Sequence, residues 1–173
     1  MQKLVVLFIV FFSVINITKA QNAFDEHDKL LNVGIGVNSY EAGGIPIGAS
    51  FEAGVAKNIS LGGGLDYLNH SFYNTSYRYS IFYLGGRLSY HFNRLFDLST
   101  NKADFYGGTA LGYRSITLSN TYTGQTISNN YTSRFILGLY IGGKYYFYKK
   151  TSIFLELGTG GVTNARIGLG FKL

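Results

Sequence analysis

Residues able to do chemistry are few in this chain, and their spacing is the first constraint on function. Of its three histidines, His70 is followed by Ser71 and preceded four positions earlier by Asp66. Together these supply the base, hydroxyl and acid that a nucleophilic hydrolase uses. Such a relay needs hydrogen-bond reach between all three, and adjacent strand residues point to opposite faces. His70 and Ser71 therefore meet only if the chain has already left a sheet there, and the plainer reading is a polar loop tip. His27 lies in the polar stretch Asp25-Glu26-His27-Asp28, and His91 closes a later segment; both are too far in height from His70 to join it. Gly62-Gly63-Gly64 and Gly158-Thr159-Gly160-Gly161 are not followed by the helix that phosphate-cradling loops require. No carboxylates have calcium-loop spacing, and the absence of cysteine excludes disulfides, zinc–thiolate sites and a cysteine nucleophile. No catalytic residue, cofactor or metal site is assigned on these grounds.

A second set of charges is more informative. Glu52, Asp66, Arg87, Arg114, Arg134, Lys144, Glu156 and Arg166 are scattered along the chain, yet each occupies the non-apolar side of an alternating segment. From Leu31 almost to the last residue the hydrophobic period is two, the signature of half-buried strands. Phe135, Leu137, Leu139 and Ile141 alternate with Arg134, Gly138, Tyr140 and Gly142; Ala165, Ile167, Leu169, Phe171 and Leu173 alternate with Arg166, Gly168, Gly170 and Lys172. The same pattern runs through 31–37, 47–55, 59–67, 82–92 and 153–157, and more weakly through 105–116, where glycines interrupt both faces. Eight strands are predicted. Their connections alternate in length: 57–58 and 148–151 are short, whereas 39–45, 69–77 and 117–132 are long and rich in Ser, Thr, Asn, Tyr and Gly. Short turns on one rim and long loops on the other suit an outer-membrane barrel. The long 93–103 and the short 162–164 break the rule.

Residues 1–20 combine Lys3, the apolar run Leu4–Phe12 and a polar stretch ending Thr18-Lys19-Ala20. This reads as a signal peptide cleaved after Ala20, since a spanning helix needs about 20 apolar residues. Its removal takes away Lys3 and Lys19 and leaves 13 basic against 9 acidic side chains. Those charges are spread singly, not clustered on one face, so no nucleic-acid partner is expected. The expected organisation is a signal peptide at 1–20, an N-terminal periplasmic segment at 21–29 and a barrel at 30–173.

An all-β chain in lipid must close on itself to satisfy its backbone. The architecture predicted is therefore an eight-stranded antiparallel up-and-down transmembrane β-barrel, apolar outside, its narrow interior filled by side chains. The eight charges above then form a lumen network, because a buried charge without a partner costs several kcal/mol. Glu156 and Arg166 lie symmetrically about Gly161, so a tight hairpin places them opposite each other. Tyr67, Tyr77, Tyr79, Tyr90, Phe92, Phe105, Tyr113, Tyr145 and Phe147 fall near strand ends, where aromatic girdles mark the interfaces. A secreted lipocalin-like binding barrel would invert the two faces, and its water-facing exterior would then carry only about one charge per strand.

The final residues, Arg166-Ile167-Gly168-Leu169-Gly170-Phe171-Lys172-Leu173, look like the C-terminal insertion signal of outer-membrane barrels, with Arg166, Gly168, Phe171 and Leu173 in its key places. Leu173 stands where phenylalanine is usual. With Phe154–Gly158, Leu111–Arg114 and Gly142–Phe147, the chain resembles the small eight-stranded outer membrane β-barrel, or "porin family", proteins of the Bacteroidota over essentially all of residues 30–173. The resemblance implies an outer-membrane location, insertion by the barrel-assembly machinery, and contact with outer-membrane lipid and lipopolysaccharide. The porin label implies a name more than a channel, because eight strands filled by side chains leave no wide pore. The function expected is non-enzymatic, structural or loop-mediated binding of an extracellular ligand through 69–77 and 117–132. A lipid A hydrolase or acyltransferase working at the outer rim, or a small-solute channel, are the alternatives.

Overall fold

A strand offers a row of N–H and C=O groups on each side, and a sheet with no helix to cover its edges can satisfy them only by pairing its first strand with its last. In the computed structural model, which describes residues 23–37, 39, 43–71, 77–96, 100, 102–120, 126–127 and 133–173, that closure is complete. The strands are β1 (Lys29–Gly36), β2 (Ile47–Ala56), β3 (Ile59–Ser71), β4 (Tyr77–His91), β5 (Ala103–Asn120), the two-residue β6 (Thr126–Ile127), β7 (Arg134–Tyr148), β8 (Thr151–Gly158) and β9 (Ala165–Lys172). Each pairs antiparallel with its neighbours in the ring β1-β2-β3-β4-β5-β7-β8-β9, and β9 returns to β1 from Leu30↔Lys172 to Gly36↔Arg166. β6 stands outside the ring, paired only to β5 at Leu118↔Ile127 and Ser119↔Thr126. The signal peptide predicted at 1–20 lies outside the described residues.

Several strands run further than the sequence pattern indicates. β3 continues to Ser71, β4 begins at Tyr77 and β5 extends from Ala103 to Asn120, so 69–71 and Tyr77 of the predicted 69–77 loop and 117–120 of the predicted 117–132 loop are strand; 72–76 lie outside the described residues. The Ser-, Thr- and Tyr-rich ends of these strands are good strand formers but polar on both faces, so pairing persists where alternation has faded. The long 93–103 connection is held like a tight one. Asn93 donates from Nδ2 to the Ala103 carbonyl (2.5 Å) and accepts from the Phe105 N–H (2.8 Å). At the opposite rim the short β8–β9 connection turns on Gly160, whose φ of +91° a side chain would resist.

The faces divide cleanly. Even-numbered residues face inward in the other long strands and odd-numbered ones in β4. Outward stand Val33, Ile35, Phe51, Leu61, Leu65, Leu84, Leu88, Leu111, Phe135, Leu137, Leu139, Ile153, Leu155 and Leu169, all well exposed. Apolar exposure on this scale around a whole ring is the mark of a surface that meets lipid. Tyr67, Tyr90, Phe105, Tyr113, Tyr145 and Phe147 also point outward, and Phe92 packs over outward-facing Gly107. Tyr79 departs from the predicted girdle: it lies on the inward face of β4, packed against a lumen cluster of Leu68, Ile81, Tyr83, Ile116 and Val162. The side chain of Tyr77 lies outside the described residues. A second lumen cluster joins Tyr106, Ala110 and Tyr140.

Large rings fit in so narrow an interior only because glycines face them. A Cβ at Gly112 would stand 2.6 Å from the Tyr83 ring and from the Leu84 carbonyl oxygen, whereas one at outward Gly86 would meet nothing closer than 3.9 Å. Gly112→Val is therefore expected to destabilise the refolded barrel by about 1–3 kcal/mol, and Gly86→Ala to change it by less than about 0.5 kcal/mol. Urea titration in detergent micelles measures both.

Candidate functional site

The inward charges converge on Arg87 from β4. Its Nε donates to Glu52 Oε1 of β2 (3.1 Å), and its Nη1 and Nη2 donate to the two oxygens of Glu156 on β8 (3.0 and 2.6 Å). The guanidinium lies 4.0 Å from the centroid of the Tyr140 ring. A fork engaging one carboxylate bidentately and a second through Nε uses arginine's planar donor geometry as lysine could not. Glu52 Oε2 accepts from Ser60 (2.8 Å) and from Ser89, which also meets Tyr140 Oη at 2.7 Å. Tyr106 Oη donates to Glu156 Oε2 (3.3 Å), and Lys144 Nζ stands 5.1 Å from the centroid of the Tyr106 ring. Nearer the loop rim Arg166 forms a close ion pair with Asp66, whose other oxygen accepts the Val162 N–H at 3.4 Å.

Glu156 and Arg166 are direct partners in the β8–β9 register, as the position of Gly161 indicates, but their side chains part. Each finds its countercharge on a distant strand, Glu156 at Arg87 and Arg166 at Asp66. In a barrel this narrow a long side chain reaches across the lumen as easily as along the wall, and Arg87 has donors enough for two carboxylates. Arg134 is a correction: although it begins β7 on the lumen side and lies opposite Arg114 in register, it is exposed at the loop rim, with no hydrogen bond or ion pair among the described residues. Two arginines side by side repel, and the one at the strand end lies in the solvent's reach. Arg114 remains buried.

The terminal rim holds residues that periodicity alone did not single out. Asp104 is fully buried and accepts from His91 Nδ1 at 2.8 and 3.0 Å, while His91 Nε2 stands 3.1 Å from Ser60 Oγ. Phe24 stacks on the imidazole with ring centroids 3.5 Å apart and planes within 1°. The segment carrying Phe24 is laced to the rim. The Ala23 N–H donates to the Thr100 carbonyl (3.1 Å), Gly54 N–H to Asp28 (2.7 Å), Arg94 to Asp25 (2.9 Å), and Lys172 Nζ to both the Ala23 carbonyl and Asp28 (2.8 Å each). The acidic stretch 25–28 and the cations Arg94 and Lys172 are far apart in sequence and become partners only when the ring brings those positions together.

Ser60, His91 and Asp104 thus have the spacing of a nucleophile relay, set in surroundings that also engage the serine elsewhere. Glu52 competes with His91 for the Ser60 hydroxyl proton, Ser60 has no exposed surface, and the lumen cavity does not reach it. The candidate set weighed near the other rim does not assemble. His70 turns inward beside Gly43 and Gly44, Ser71 faces out, and Asp66 is engaged by Arg166. Among the described residues no group of three or more His, Asp or Glu could hold a metal ion.

A small space of about 40 Å³ between these clusters, lined by Asp66, Tyr83, Arg87, Tyr140, Glu156 and Arg166, has room for a water molecule or two. The Tyr83 hydroxyl, with no hydrogen-bond partner among the described residues, borders it.

Comparison with solved structures decides the architecture. The chain resembles the N-terminal β-barrel domain of OprF from Pseudomonas aeruginosa (TM-score 0.60, 14% identity, covering 87% of this chain and 100% of that one). It also resembles the outer membrane protein OprG of the same organism (0.58, 11%, 88% and 99%) and Neisserial surface protein A (0.56, 14%, 84% and 94%). The fold is an eight-stranded transmembrane β-barrel. No protein-family model and no curated protein sequence matches the chain.

In a transmembrane barrel the C-terminal strand is the one that closes the ring, and here β9 does so with Arg166 and Gly168 inward, Phe171 on the outer face and Leu173 exposed beyond the strand end. Removing Arg87 strands two buried carboxylates. Arg87→Met is expected to cost about 3–5 kcal/mol of unfolding free energy in micelles. A fluorophosphonate probe for activated serines is expected to leave the folded protein unlabelled; labelling that Ser60→Ala abolishes would identify a working nucleophile instead.

Proposed function

We propose that this protein resides in a Gram-negative outer membrane and acts there without catalysis, as a structural element or by binding an extracellular partner through 69–77 and 117–132. The observation that supports this reading is the filling of the lumen among the described residues: the Arg87 cluster joins β4, β2 and β8 across it, and Phe24 is buried against His91 at the terminal rim. A lumen occupied in this way leaves the outer surface and the loops to work with. The outward row Phe135 to Phe147 on β7 spans roughly 30 Å along the barrel axis at a strand tilt of about 40°, the depth of a bilayer core. β4 and β5 continue past that belt to the Tyr77↔Asn120 pair, and β6 extends the β5 side. A rigid sheet thereby presents the loop segments away from the lipid. In this reading 1–20 is the cleaved leader, Arg166, Gly168, Phe171 and Leu173 guide insertion by the assembly machinery, and the belt contacts lipid and lipopolysaccharide.

The detergent-refolded mature protein is expected to migrate at a shifted position on a cold gel and to lose the shift on boiling. In lipid vesicles protease should trim only the loop segments. A protein that stays soluble without detergent and runs identically cold or boiled would sink the membrane reading. Planar bilayers are expected to show no stable solute conductance, His70→Ala should leave the lipid A mass spectrum unchanged, and exchange of 117–132 should abolish adhesion to any surface ligand.

A further inference from the structure

We infer that the terminal rim carries a binding site for the headgroup of an anionic phospholipid, built from Lys102, Lys149 and Lys150 at the edge of the lipid belt. The inference rests on the membrane placement proposed above. An open cleft of about 890 Å³ lies between the N-terminal segment and the rim ends of β5, β7, β8 and β9, and Ala23, Asp25, Asp28, Lys102, Lys149, Lys150 and Lys172 line it together with residues 146–148. Its charges do not balance. Lys172 is committed to Asp28 and the Ala23 carbonyl, and Asp25 is committed to Arg94. Lys102, Lys149 and Lys150 are exposed and have no ion-pair partner among the described residues. Their backbones are fixed: the Lys102 carbonyl accepts the Tyr146 N–H at 2.7 Å, and the Lys150 carbonyl accepts the Lys172 N–H at 2.8 Å. Three like charges held on neighbouring strand ends around one concavity repel each other, and an anion seated among them relieves that repulsion.

Position selects a lipid over a soluble anion. Phe147 and Tyr148 are 59% and 70% exposed and immediately precede Lys149 and Lys150, so the cations begin where the apolar surface of β7 ends. A phosphodiester held there directs its acyl chains along Tyr145, Ile153 and Leu155, which stand exposed on the outer face of β7 and β8. Lys57, in the β2–β3 turn on the same rim, is exposed but does not line the cleft, and so serves as an internal control.

The test is native mass spectrometry of the full mature protein released from nanodiscs containing equal amounts of phosphatidylglycerol and phosphatidylcholine. The wild type is expected to retain phosphatidylglycerol selectively. Each lysine replaced by alanine should weaken retention about fivefold, the Lys102→Ala/Lys149→Ala/Lys150→Ala variant should lose the selectivity, and Lys57→Ala should behave as wild type. Equal retention of the two lipids, a triple variant that retains phosphatidylglycerol as wild type does, or full displacement by soluble glycerophosphoglycerol would each overturn the lipid site. The cold-gel shift separates the two proposals: its loss in the wild type rejects the membrane reading, while its presence with no lipid selectivity rejects only the site. Should the triple variant fail to refold, Lys149→Ala and Lys150→Ala singly carry the same comparison.

Discussion

The bidentate clasp of Arg87 on Glu156, with Nε on Glu52, is the interaction on which the rest of the lumen depends. It joins β4, β2 and β8 across the barrel; Ser60, Ser89 and Tyr106 bond the same two carboxylates, and Tyr140 joins them through Ser89 and the Arg87 guanidinium. Low dielectric makes the cluster strong only while it is complete, because every donor removed leaves a buried acceptor short of a partner. Buried carboxylates Glu52, Asp66, Asp104 and Glu156 are set against Arg87, Arg114, Lys144 and Arg166. Near-neutrality of the interior follows from the same cost.

Filling the inside with charge and aromatic rings transfers the hydrophobic surface to the outside. The usual arrangement of a water-soluble protein is inverted, with leucine and phenylalanine exposed around the whole ring and serine, arginine and glutamate among its most buried residues. Glycine makes the inversion possible. Tyr83 lies against Gly112, and Tyr106 against Gly142, where its hydroxyl oxygen would stand 2.6 Å from an added Cβ. The rings thus occupy space that two small residues vacate.

At the terminal rim a set with relay distances is built into the anchoring of the N-terminal segment. Ser60, His91 and Asp104 are linked in turn, Phe24 stacks on the imidazole, and Glu52 accepts from the serine. Such a set works as a catalyst only where substrate and water can enter. The loop rim offers no substitute, since His70, Ser71 and Asp66 are turned to three different environments.

Alternation of apolar and small or polar residues was enough to determine the eight ring strands, their faces, and the inward side of Glu52, Asp66, Arg87, Arg114, Lys144, Glu156 and Arg166, because side-chain direction in a strand depends only on parity. The same rule fails where the alternation fades: the strand ends at 69–71 and 117–120, the small β6, and the exposed start of β7 at Arg134 were invisible to it. Tyr79 was misplaced because an aromatic near a strand end suits a girdle or a lumen equally well until parity in β4 is known. Which charges meet was decided by the closed ring alone. Glu156 and Arg166 are neighbours in register but bind Arg87 and Asp66, and His91 finds Asp104 and Ser60 on two other strands. Contacts across a lumen depend on the angle each strand occupies around the ring, a quantity that no local sequence pattern contains.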